Sequence, residues 1–142
     1  MNVTKFLLVL LFSSACSVAD EQILRPDYAA FNELVANASK ENRPWVLHPV
    51  AVSLLFIASQ SPDSDVIEHK ETIQLNSNAE IFDKAEVVIE RTGFMDDSMA
   101  GDEYKLTLSK QGSNEWLIET VQYGWKCWEG RGHTDISDQP CL

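Results

Sequence analysis

Two cysteines, Cys127 and Cys141, bracket a polar, glycine-rich tail, and that pair constrains the fold more than any other feature of the chain. Between them lie Gly130, Arg131, Gly132, His133 and Asp135, with Pro140 just before the second cysteine. A bond between the two would close a loop of about 15 residues, worth about 3 kcal/mol in the chain-entropy model. Structural disulfides persist chiefly outside the cytoplasm, so the first question is where such a chain resides.

The opening residues answer it. Lys5 precedes an unbroken apolar run, Phe6 to Phe12, and small residues follow from Ser13 to Ala19. This is the charged, apolar and small-residue order of a secretory signal. The run is too short for a transmembrane helix, which needs about 20 apolar residues. No later stretch reaches that length, so the expectation is a soluble, secreted or periplasmic domain over residues 20–142. Two processing routes fit. Ser17-Val18-Ala19 suits ordinary signal peptidase and would make 1–19 the leader, whereas Ser14-Ala15-Cys16 resembles a lipobox. In that case 1–15 would be removed and Cys16 would be the lipidation residue, anchoring the chain to a membrane. Either route accounts for the odd cysteine of the three and leaves Cys127 and Cys141 as a pair.

Charge narrows the partners. All 22 acidic residues and ten of the 11 basic ones follow the leader, so that part carries about −12. Nucleic-acid binding requires a basic footprint against the phosphates, and this chain lacks one. Anionic lipid head groups are disfavoured for the same reason.

Roughly 120 residues suffice for one core and too few remain for two. From Asp27, apolar residues fall at Tyr28, Phe31, Leu34, Val35 and Ala38, a helical stripe that should stop near Lys40, before Asn42-Arg43-Pro44. Pro26 and Asp27 suit its first positions. Val50 to Ala58, after Pro49 and with His48 near its cap, reads as a buried helix, although its Val and Ile content also suits a strand. Ser59 to Asp65 reads as a loop. Strands are expected within Val66 to Asn76, at Ala85 to Arg91, around Tyr104 to Leu108 and from Glu115 to Trp128, with a loop from Gly93 to Gly101 and a turn at Gly112 to Asn114. The last strand changes parity: Trp116 and Ile118 share one side, Val121, Tyr123, Trp125 and Cys127 the other. Either both faces are covered or a bulge near Glu119 to Thr120 switches the sides, with Gly124 a second point of irregularity. Consecutive strands on short loops imply an antiparallel meander. The expected class is α+β: N-terminal helices packed on a three- to four-stranded antiparallel meander, comparable in architecture to cystatin-like or NTF2-like folds, with a C-terminal disulfide-stapled tail.

Phe94-Met95-Asp96-Asp97-Ser98, the Tyr-x-Leu-x-Leu strand and Cys127-Trp128-Glu129-Gly130-Arg131-Gly132-His133 with Pro140-Cys141 together resemble a group of small bacterial secreted proteins and lipoproteins. The resemblance runs from about Val50 to the end, and Ile136 stands where those sequences often carry an aromatic. It implies a bacterial source and supports the stapled tail. It transfers no activity, cofactor or catalytic residue.

Candidate chemistry concentrates in the tail. Arg131, His133 and Asp135 offer an anion clamp, a base and an acid on one loop, but no nucleophile context such as G-x-S-x-G accompanies them. Arg131 can instead pair with Asp96 or Asp97 and pin the tail to the hairpin loop. His48, His69 and His133 are far apart and no Cys-x-x-Cys is present, so no metal or cofactor is expected. The acidic run Asp96, Asp97, Ser98, Asp102 and Glu103 lacks an EF-hand pattern, and the sequon at Asn37 falls inside an expected helix. Trp125 and Trp128 beside a constrained loop make a candidate recognition surface with Arg131, His133 and Asp135. The expected function is a non-enzymatic binding or interaction module for a protein or small ligand. A small envelope enzyme or ligand-binding protein using the Arg131/His133/Asp135 loop, and a structural envelope lipoprotein, are the alternatives.

Overall fold

The computed structural model describes residues 27–60, 70–77, 83–112 and 114–142. The expected leader, Cys16, Pro26 and His69 lie outside these residues.

The first helix, α1 (Tyr28–Lys40), begins where a side chain can satisfy its free amides. Asp27 Oδ1 accepts from the Ala29 and Ala30 N–H groups at 3.0 and 3.3 Å, so Asp27 is the cap rather than the first turn. Phe31, Val35 and Ala38 form its buried stripe. At its other end Asn42 adopts φ 57°. The Asn42 N–H then reaches the Ser39 carbonyl and the Arg43 N–H the Ala38 carbonyl, both at 3.0 Å. This is a Schellman termination with asparagine supplying the left-handed residue. Pro44 opens a short 3-10 turn, Pro44–Leu47, whose Val46 is buried.

The run that periodicity left open between helix and strand is a helix, α2 (Pro49–Gln60). Its Val52, Ser53, Phe56 and Ile57 are buried, and the Ser53 hydroxyl donates to the Pro49 carbonyl at 2.9 Å. The helix extends through Ser59 and Gln60, the start of the expected loop. Ser59 Oγ donates to the Phe56 carbonyl at 2.6 Å and occupies one of the last free acceptors. The remainder of that expected loop is outside the described residues.

Four strands follow, β1 (Lys70–Ser77), β2 (Lys84–Thr92), β3 (Met99–Gln111) and β4 (Glu115–Cys127), as an antiparallel meander in the order β1-β2-β3-β4. The helices cover one face. Ala85, Val87 and Ile89 of β2, Tyr104, Leu106 and Leu108 of β3, and Trp116 and Ile118 of β4 meet Phe31, Val35, Val52 and Phe56 there. Phe31 stands edge-on to Phe56 with ring centres 5.3 Å apart. The opposite face is polar and carries the ion pairs Glu86–Lys105 at 3.0 Å and Glu90–Lys126 at 2.7 Å.

The parity change in β4 is a bulge. Thr107 pairs with Thr120 but Leu108 with Ile118, which leaves Glu119 as the extra residue. One inserted residue turns Val121 and Tyr123 onto the face that already holds Trp116 and Ile118. The bulged strand is then clamped by α1. Asn32 Nδ2 donates to the Ile118 carbonyl at 2.8 Å, and the Ile118 N–H donates to Asn32 Oδ1 at 2.9 Å. A second register shift lies at Ala100, between the Met99–Cys127 and Gly101–Lys126 pairs, rather than at Gly124. Among the described residues the architecture is thus α+β, two α-helices on a four-stranded antiparallel sheet with a stapled tail. Among the described residues no helix is long and apolar enough to cross a membrane.

Candidate functional site

The tail leaves β4 at Cys127, one residue earlier than expected, and folds back along the same strand. Cys127 and Cys141 form the disulfide, with Cα atoms 5.7 Å apart. Gly130 at φ 79° and Gly132 at φ 140° provide the reversal. Any side chain at 132 would meet the Cys127 sulfur, since an added Cβ would lie 2.9 Å from Sγ. The Trp125 N–H and the Ser137 carbonyl pair at 2.9 Å, the reciprocal bond is also 2.9 Å, and the Cys127 N–H donates to the His133 carbonyl at 2.8 Å. Gly124 permits this approach: a Cβ there would sit 2.7 Å from Ile136 Cγ2 and 3.2 Å from the Ser137 carbonyl oxygen.

The tail is also joined to the loop between β2 and β3. Asp96 Oδ1 accepts from the Ser98 and Met99 N–H groups, each at 2.7 Å, and these two bonds hold its carboxyl below the ordinary value. Onto this turn Trp128 docks twice. Its backbone N–H donates to the Ser98 carbonyl at 2.9 Å and its indole N–H to the Asp96 carbonyl at 2.8 Å. Arg131 faces Asp97 at 3.5 Å, the pairing anticipated for the tail, but the Asp97 side chain is 89% exposed. A pair so open to solvent contributes little. The pin between tail and hairpin is Trp128.

His133 donates from both ring nitrogens, Nδ1 to the Asp135 carbonyl at 2.8 Å and Nε2 to the Gln139 carbonyl at 2.7 Å. Two carbonyl acceptors require two N–H groups, so the geometry selects the imidazolium. The bonds to Gln139 and Asp135 accordingly raise the His133 pKa above 6.5. While both nitrogens hold protons on these carbonyls, neither has a lone pair to offer as a base. Asp135 meets His133 through its backbone carbonyl.

The proposed recognition residues divide between two places. Trp125 lies opposite Asp102 and joins an aromatic row with Tyr123, 5.7 Å away, and Tyr104, 4.4 Å from Tyr123. Trp128, by contrast, is exposed on the 94–98 loop, where Met95 is also exposed and the Leu142 carbonyl accepts from Ser98 Oγ at 3.4 Å, whereas Ile136 lies against Gly124.

Two groupings escaped the sequence reading. Arg91 and Asp102 form a buried bidentate ion pair, Nε to Oδ1 at 2.8 Å and Nη2 to Oδ2, with Arg91 between the rings of Phe94 and Tyr104 at 5.5 and 5.3 Å. Burial opposes the Arg91 charge, but the hydrogen bonds and charge of Asp102 outweigh it and hold the guanidinium above its ordinary value. Burial also pushes the Tyr123 phenol well up, and the Asp102 charge adds to this. Strand parity carried a signal for the pair: Arg91 continues the inward series Val87, Ile89, and Asp102 precedes Tyr104 and Leu106 on theirs. The second grouping is Cys127, His133 and Cys141, whose sulfurs and ring nitrogen lie within 4.8 Å of one another.

No family model, curated protein or solved structure matches the chain.

Proposed function

We propose that the chain is a secreted or periplasmic, non-enzymatic binding module that recognises a protein partner through the corner where the tail meets the β2–β3 loop. One observation carries this reading. Trp128 is fixed by hydrogen bonds from both its backbone and its indole N–H, yet 42% of it remains exposed, with Met95 66% and Leu142 82% exposed in the same corner. A large aromatic held in place before binding loses little conformational freedom when a partner covers it. Such residues dominate interface energetics. The spent nitrogens of His133 weigh against the enzymatic alternative. The apolar leader-like start and the paired cysteines support placement outside the cytoplasm.

The test is capture from an envelope extract by the tagged chain, in parallel with Met95→Asp and Trp128→Ala variants whose melts show them folded. A species retained by the parent and lost from both variants, then reproduced with the purified partner, supports the reading. Equal capture by all three removes the corner as the recognition surface. Mass spectrometry of the mature N-terminus separates a diacylated Cys16 from a free Asp20, and so an anchored from a released module.

A further inference from the structure

The disulfide, His133 and the glycine turn between them suggest a second use of the tail that is independent of the recognition corner. We propose that reduction of the Cys127–Cys141 bond converts the tail into a two-cysteine, one-histidine site for a zinc-class divalent cation. Three observations carry this.

First, the two sulfurs and a His133 ring nitrogen already lie within 4.8 Å of one another. Around a tetrahedral zinc with bonds of about 2.3 Å to sulfur and 2.0–2.1 Å to nitrogen, neighbouring donors sit about 3.5–3.8 Å apart. The donors therefore need side-chain rotation, and Cα atoms 5.7 Å apart leave room for the sulfurs to separate.

Second, the backbone that carries the donors is tied down without the S–S bond. The Cys127 N–H is held by the His133 carbonyl at 2.8 Å, and the Leu142 N–H, beside Cys141, by the Arg131 carbonyl at 2.7 Å. Gly132, lacking a Cβ that would meet Cys127 Sγ, lets the His133 segment lie over that sulfur.

Third, His133 has two carbonyl partners. Ligation by one nitrogen costs one of these bonds and leaves the other N–H on its carbonyl. A metal-bound histidine is ordinarily oriented in just this way, with its second nitrogen donating to a carbonyl or carboxylate.

The chemistry balances. A dithiol reductant gives up two S–H bonds and gains one S–S bond, leaving Cys127 and Cys141 as thiols. Metal binding then displaces both thiol protons, together with the extra proton of His133 where it is charged. Water completes the fourth position. In the oxidised chain the sulfurs are bonded to each other and the site is closed.

The test uses the full chain, reduced with a phosphine that is then removed under inert gas, and titrated with Co2+ as the spectroscopic probe. One equivalent should bind with thiolate-to-cobalt charge transfer and intense tetrahedral d–d bands, and Zn2+ should displace it. The oxidised chain should bind none. The His133→Ala variant should weaken binding at least about tenfold, since even the loss of a histidine's outer partner costs that much. Zinc should also raise the melting temperature of the reduced chain and leave that of the oxidised chain unchanged. The proposal is overturned if the reduced chain gives no tetrahedral cobalt spectrum, or if His133→Ala binds as tightly as the parent. It fails equally if the reduced chain is unfolded and zinc does not refold it.

Discussion

The Arg91–Asp102 pair allows the most direct test of how this sheet is held together. The side chains are 10% and 1% exposed, so solvent screens them little. Replacing Asp102 by Ala removes both acceptors of the guanidinium and a hydrogen-bonding partner of Tyr123. Arginine cannot shed its proton to escape, so a full charge stays buried between Phe94 and Tyr104. Breaking a buried pair in this way costs about 3–5 kcal/mol, against about 5–15 kcal/mol for a whole domain. The pair as such is not what stabilises. Removing both charges with Arg91→Met and Asp102→Leu together should return stability to within about 1–2 kcal/mol of the parent, because the desolvation cost disappears with the attraction. Arg91→Met alone should also destabilise, because it leaves the Asp102 carboxyl buried without its partner. Urea unfolding followed by tryptophan fluorescence gives all four stabilities. A loss below about 1 kcal/mol for Asp102→Ala would refute the burial argument. A double variant as unstable as the single one would show that the ion pair, rather than its desolvation balance, stabilises the sheet.

Three further outcomes follow from the tail. The raised pKa of His133 means that its contribution to the oxidised chain is complete below pH 6.5 and is lost as pH rises through the raised value. Long-range nitrogen NMR should find both ring nitrogens protonated in acid with a midpoint above 6.5, and a midpoint at or below 6.5 contradicts the doubly donating geometry. Exchanging the charges of Arg131 and Asp97, singly or together, should change stability by less than about 0.5 kcal/mol, as thermal melts will show, because the pair is exposed. Gly124→Ala should open the Trp125–Ser137 pairing at a cost of about 1–3 kcal/mol. Hydrogen exchange should then accelerate at Trp125 and Ser137 but not at Leu106, and unchanged protection would mean that the tail does not press on β4.

How much of this was legible in the sequence depends on the range of the interaction. The α1 stripe at Phe31, Val35 and Ala38 and its Asp27 cap are local and could be read directly. So could the meander, because the alternation of Val87 with Ile89 and of Tyr104 with Leu106 and Leu108 fixes which side faces the helices. Parity also exposed the break in β4. It left open whether a bulge or a second covered face explained it, since that depends on the partner register, which leaves Glu119 unpaired. The Arg91–Asp102 contact needed the same information, because β2 and β3 must align Thr92 with Gly101 before 91 and 102 face each other. The meeting of His133 with both cysteines was out of reach of spacing rules. It follows from the path of a loop whose turns rest on Gly130 and Gly132 and whose return is fixed by pairing with Trp125.

That return path bears on why a sheet of this kind carries a tail. β4 ends the strand order, so its outer N–H and C=O groups form an edge open to pairing with another chain. Two devices occupy it. Asn32 takes both backbone groups of Ile118, and the tail takes those of Trp125 and the N–H of Cys127. Removing residues 130–142, with Cys127→Ser to prevent intermolecular disulfides, strips the second device while sparing the helix-facing core. The expected result is concentration-dependent self-association in sedimentation velocity, because the freed amides at 125 and 127 can pair with a second copy. Adding Asn32→Ala to the truncation should strengthen it. A truncated chain that stays monomeric at all concentrations would show that the tail's pairing with β4 positions the corner at Trp128 without protecting the edge.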